Sequence, residues 1–81
     1  MDDKDVLRDI DTLIAEEHEL RAKAVGSPGL SETERARLRE VEVRLDQCWD
    51  LLRQRRAKAE FGEDPNTAST RPADEVEHYR N

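Results

Sequence analysis

Glu16, Glu17 and His18 stand side by side with a further acid at Glu19, the kind of residues from which metal ligands and acid–base pairs are drawn. Their spacing does not suit that use. Two ligands share a helix face in the E-x-x-H pattern, and the residue three before His18 is Ala15. The single cysteine, Cys48, has neither a helix N-terminus nor a histidine placed to activate it, so a small core residue is expected there rather than a nucleophile. Arg53, Arg55, Arg56 and Lys58 form a basic patch that could hold an acidic partner or a phosphate backbone. Spread over several faces at the end of a helix, these cations equally complement its dipole. His78 has no companion. With no catalytic set assembled, the expectation is a non-catalytic protein without a cofactor.

The elements that position these groups can be read from periodicity. Val6, Ile10, Leu13, Glu17, Leu20 and Ala24 follow alternating gaps of four and three, which is one stripe of an amphipathic helix over about residues 3–25. Gly26-Ser-Pro-Gly then breaks the chain. Ser31 begins S-E-T-E, a capping box that opens a second helix at Glu32. Leu38, Val41, Leu45, Cys48 and Leu52 mark a coiled-coil seam along it, continuing weakly to Arg55 and Ala59 and ending near Phe61, because Gly62 can close the helix and Pro65 follows.

A connection this short favours an antiparallel hairpin. Its register pairs Leu20 with Leu38, Glu17 with Val41, Leu13 with Leu45, Ile10 with Cys48 and Val6 with Leu52, and sets Arg55 opposite Asp3. A carboxylate in a seam is costly unless paired, so Glu17 is expected to fix the register as a polar layer, held by Arg21, Arg37 or Arg44. Beyond residue 62 the chain should form an extended tail, and the sequence permits a short helix over 72–80 with Val76 and Tyr79 on one edge.

Trp49 and Leu51 flank the second helix's seam on opposite sides, and Leu7 and Ile14 lie beside the first helix's seam. A two-helix hairpin cannot cover all four. Either the tail folds back over them through Phe61, Val76 or Tyr79, or they form an interface, the preferred reading because tryptophan is enriched at interface centres. The expected architecture is therefore all-α, a hairpin dimerising into a four-helix bundle through Leu7, Ile14, Trp49 and Leu51. A protein partner is expected as well.

Composition limits the other classes. A chain of 81 residues with 42% charged side chains has a thin core, and a formal charge of -6 argues against nucleic-acid and anionic-membrane partners. Neither an apolar run long enough to span a bilayer nor a secretory leader is visible, and one cysteine fits a reducing compartment, so the cytoplasm is expected. Two alternatives stay open. A metal or small-molecule site needs Glu16, Glu17 and His18 to converge across a dimer axis, and an accessory hairpin of a large machine such as RNA polymerase needs an acidic tip. Residues 25–30 carry no charge, leaving Glu32 and Glu34 nearby.

LRDIDTLI followed by HELR resembles the first helix of the all-helical chorismate mutases, with Asp11 preceding Arg21 as an aspartate precedes an active-site arginine there, which would imply a pericyclic rearrangement in an intertwined dimer. That family's helix runs on to a catalytic lysine, whereas this chain breaks at Gly26 and shows Glu32, and the shared residues are generic heptad residues. EEHELR, RARLREVEVRLDQCWDLLRQRRAKAEFGEDP and RPADEVEHY, spanning nearly the whole chain, together resemble a small actinobacterial family designated a domain of unknown function. LDQCWDLLRQRRA and EFGEDP are the specific parts. The resemblance implies a stand-alone cytoplasmic protein and transfers no activity, cofactor or catalytic residue.

Overall fold

The computed structural model describes residues 2–73. Asp2 opens the first helix, α1 (Asp3–Ala24), by accepting from the Asp5 amide at 3.0 Å while the Asp5 carboxylate accepts from the Asp2 amide at 3.1 Å. Two aspartates thus form a capping box usually built from a hydroxyl and a longer acid. Asp3 and Asp5 in the first turn and Arg21 and Lys23 in the last both oppose the partial charges of the helix ends. In the connection, Gly29 takes φ +87°, a conformation that strains any residue with a side chain.

Ser31 starts α2 (Glu32–Glu60): its hydroxyl accepts from the Glu34 amide at 3.2 Å and the Glu34 carboxylate accepts from the Ser31 amide at 2.9 Å. At the other end Gly62, with φ +74°, donates to the Ala59 carbonyl at 3.2 Å, and Glu63 donates to the Lys58 carbonyl at 2.7 Å. These are the paired bonds of a Schellman ending, which needs glycine at the left-handed position. A single 3-10 turn, Pro65–Thr67, follows.

The two helices pack as a hairpin around Val6, Ile10 and Leu13 from α1 and Val41, Leu45, Leu51 and Leu52 from α2, with Ile14, Leu20, Cys48 and Ala68 partly buried against them. Asp3 and Arg55 meet at 2.7 Å, the pairing the seam register implies. Leu38 is only half-buried, so the seam loosens towards the connection, where ion pairs replace apolar layers. No strand occurs among the described residues, and no helix among them is long and apolar enough to cross a membrane.

The tail turns back along α2. Arg55 donates to the Pro65 carbonyl at 3.3 Å and to Asn66 Oδ1 at 3.1 Å, Gln54 to the Ser69 carbonyl at 2.9 Å, and Gln47 to the Arg71 carbonyl at 3.1 Å. Tail numbers rise as helix numbers fall, so residues 65–71 form an antiparallel strap. The helix permitted over 72–80, with Val76, His78 and Tyr79, lies beyond the described residues from 74 onward.

Candidate functional site

Antiparallel packing gives the hairpin two broad flanks, and side-chain pairs identify which residues share each. On one, Arg21 Nη2 meets Glu42 Oε1 at 3.1 Å. Stepping one heptad down α1 and one up α2 places Ile14 beside Trp49, and a second step places Leu7 beside Arg56. On the other, Arg37 grips Glu16 with two nitrogens, Nη2 at 2.8 Å, and one heptad further Asp9 and Arg44 line the same cleft. The arginine hydrogen bonds hold the Glu16 carboxyl below its usual range, and Glu16 in turn raises the Arg37 guanidinium.

This second flank is the strapped one. Asp50, only 2% exposed, accepts from Gln54 Nε2 at 2.8 Å and pairs with Arg71 Nε at 3.2 Å. It projects from the side of α2 furthest from α1, where a carboxylate would be fully hydrated had the strap not crossed it. Ala68 packs against the core and Thr70 lines a cleft of about 480 Å³ with Asp9, Thr12, Leu13, Arg44, Gln47, Cys48 and Leu51. Leu51, expected at an outer interface, is therefore only 9% exposed within its own chain. The covering comes from Ala68 and its neighbours rather than from Phe61, which is 80% exposed.

Cys48, expected in the seam, sits half-buried at the wall of this cleft, because its helix face turns towards the strap as well as towards Ile10. Burial and the nearby Asp9 carboxylate push its thiol up, the opposite of what a nucleophile needs.

Among the described residues the other flank is open. Leu7 is 38% exposed and Trp49 46% exposed, with half-buried Ile14 between them in the stripe. A depression of about 230 Å³ beside the indole is lined by Trp49, Leu52, Arg53 and Arg56. Of the four residues expected to form an interface, Leu7, Ile14 and Trp49 thus share one exposed stripe and Leu51 leaves it.

The basic patch divides. Arg55, 7% exposed, joins the α1 N-terminus to α2 and the tail turn, while Arg53 and Arg56 remain exposed and Lys58 is half-buried. Glu17 is held by Arg21 at 3.5 Å and keeps a side-chain exposure of 20%, so its layer is a rim rather than a sealed polar core. The other candidate partners are taken, Arg37 by Glu16 and Arg44 by Glu40 at 2.9 Å. Among the described residues no three His, Cys, Asp or Glu side chains are grouped so as to hold a metal ion.

The seam spacing places Arg55 opposite Asp3, but the buried Asp50 is not singled out by periodicity. One sequence signal was available: both glutamines of the chain, Gln47 and Gln54, lie on the same helix face as Asp50, and uncharged amides suit recognition of a backbone better than solvation.

Fold and surface together define a class, the small strapped coiled-coil hairpin with one closed and one open flank. The chain belongs to the family described as "Protein of unknown function (DUF2630)", whose model matches residues 2–81. It is similar to the uncharacterized protein Rv0898c of Mycobacterium tuberculosis and the uncharacterized protein Mb0922c of Mycobacterium bovis, each 53% identical over 78 residues, covering 95% of this chain and 88% of theirs. The actinobacterial resemblance of the motifs is to this family. No solved structure matches the chain.

Proposed function

We propose that this is a non-catalytic protein-binding protein of the cytoplasm whose working surface is the open flank, and that it acts as a homodimer in which two hairpins pair through Leu7, Ile14 and Trp49 into a four-helix bundle. One observation carries the reading: the chain's only tryptophan stands 46% exposed in an apolar stripe, while its own tail has been used to close the opposite flank. Tryptophan is enriched among the anchors of protein interfaces, and an exposed apolar patch around one marks such a surface. Closed symmetry is also the usual outcome when a surface pairs with itself.

The direct test is mass in solution. Light scattering at micromolar concentration should report twice the 9.4 kDa chain, and Trp49→Asp should return it to one chain without loss of helical circular dichroism. A folded wild-type monomer whose indole is shielded by residues 74–81 refutes the reading. Proteins retained from the native host by the wild type but not by Trp49→Asp then identify what the dimer serves.

A further inference from the structure

Charge on the open flank is distributed about the level of Ile14 and Trp49. Along α2, Glu42 and Asp46 precede Trp49 by seven and three residues, and Arg53 and Arg56 follow it by four and seven. These spacings keep all five on one helix stripe, acidic on the connection side of the indole and basic on the tail side. Along α1 the corresponding stripe carries Lys4 and Asp11 on the tail side of Ile14, and His18 and Arg21 on the connection side.

We infer that the open flank is built to receive a second copy of this chain end over end, with a two-fold axis crossing both helices at the level of Ile14 and Trp49, so that α2 lies antiparallel on α2 and α1 on α1. The inference rests on the self-association proposed above and adds its geometry. Rotation about that axis lays Glu42 over Arg56 of the second copy and Asp46 over Arg53, each pair occurring twice. Trp49 lies against Trp49, Ile14 against Ile14, and Asp11 opposite His18. Every level that carries charge on α2 meets the opposite sign, whereas α2 laid on α2 in the same direction would meet like charge at every level. Glu42 already pairs with Arg21 at 3.1 Å within the chain, so Arg56 of the second copy would join that pair from the other side. The axis also sets each indole beside the depression lined by Leu52, Arg53 and Arg56 of the other copy.

Charge exchange between two variants tests this. Full-length Glu42→Arg/Asp46→Arg reverses the acidic residues before Trp49, and Arg53→Glu/Arg56→Glu reverses the basic residues after it. Each alone should self-associate at least about tenfold more weakly than wild type, since four surface pairs turn repulsive. Mixed in equal amounts, the two should form a heterodimer in preference to either homodimer, read by native mass spectrometry, because antiparallel overlay restores all four pairs. A packing of α1 on the partner's α2 predicts no such rescue, as the new arginines would face Arg21 and His18. If breaking the Arg21 contact unfolds the first variant, Asp46→Arg mixed with Arg53→Glu asks the same question. Weakened homodimers without heterodimer preference, or homodimers indifferent to the reversals, overturn the axis and leave self-association standing. A monomeric wild type overturns both.

Discussion

Replacing Arg55 should cost this protein more than replacing any other charged residue of the basic patch. The side chain is 8% exposed and binds three groups from two other parts of the chain: Asp3 Oδ1 at 2.7 Å at the start of α1, and Asn66 Oδ1 at 3.1 Å and the Pro65 carbonyl at 3.3 Å in the tail turn. Removing one member of a buried ion pair costs about 3–5 kcal/mol when the other charge is left dry. Here Asp3 is 48% exposed and can rehydrate, which brings its share down to about 1 kcal/mol. The two tail acceptors also reach water once released and together contribute about 1 kcal/mol more, with a further fraction from the lost packing of the arginine stem. Arg55→Ala should therefore destabilise by about 2–3 kcal/mol, or about 10–20 °C in Tm for a domain of this size. Urea and thermal denaturation followed at 222 nm measure both. A double-mutant cycle with Asp3→Asn should show coupling near 1 kcal/mol, the rest being independent of Asp3. Arg55→Lys should fall between, since an ammonium lacks the fork that reaches the helix start and the tail turn at once. A Tm for Arg55→Ala within about 2 °C of wild type, or no coupling to Asp3, refutes the assigned role.

Three further outcomes follow from the same geometry. Asp50→Asn preserves shape but removes the charge that faces Arg71, so amide hydrogen exchange over residues 63–73 should quicken about tenfold while that of the helix interiors holds; unchanged exchange in the tail contradicts the strap. The Lys23 ammonium and the Ser31 amide lower Glu34 from 4.5 to about 2, and a depressed carboxylate stabilises the fold above its unfolded value and loses that contribution as pH falls through 4.5 towards 2. Glu34→Gln keeps the cap but should flatten the stability profile across that window, and a slope equal to wild type would show that Glu34 is not its source. The Cys48 thiol is raised from 9.0 by burial, so it holds its proton more tightly when folded, and the linked stability is present below 9.0 and lost as pH rises through the folded value. Its alkylation at pH 8 should be slower in the native protein than in urea at the same pH, and equal rates by mass spectrometry would contradict that burial.

The hairpin was legible because its determinants are local or periodic. Ser31 and Glu34 mark a helix start within four residues, Gly62 marks an end, and the three-four spacing of Leu45, Cys48 and Leu52 against Val6, Ile10 and Leu13 fixes which faces meet. The strap was not legible, because it is held by amides and guanidinium groups that bond to backbone carbonyls between ten and twenty-four residues away. Such bonds leave no period in the sequence. Asp50 illustrates the gap: its heptad position is the most solvated one in a bare hairpin, and only a third layer makes it buried. The same layer explains why Leu51 and Trp49, equivalent on either side of the seam, end up in different environments. The Asp2 cap was hidden for another reason, since three aspartates near a helix start suit the dipole whichever of them caps.

The strap also bears on how far association can proceed. A ribbon of two helices with apolar residues on both broad sides presents two contact surfaces facing opposite ways, and units of that kind stack without limit. With residues 65–71 laid over one side, the chain would be monovalent in the dimer proposed above, because only one broad apolar side among the described residues would remain to be met. Loosening the Asp50–Arg71 latch would raise the valence from one to two, so the hazard of that change is growth of open-ended aggregates rather than simple loss of fold.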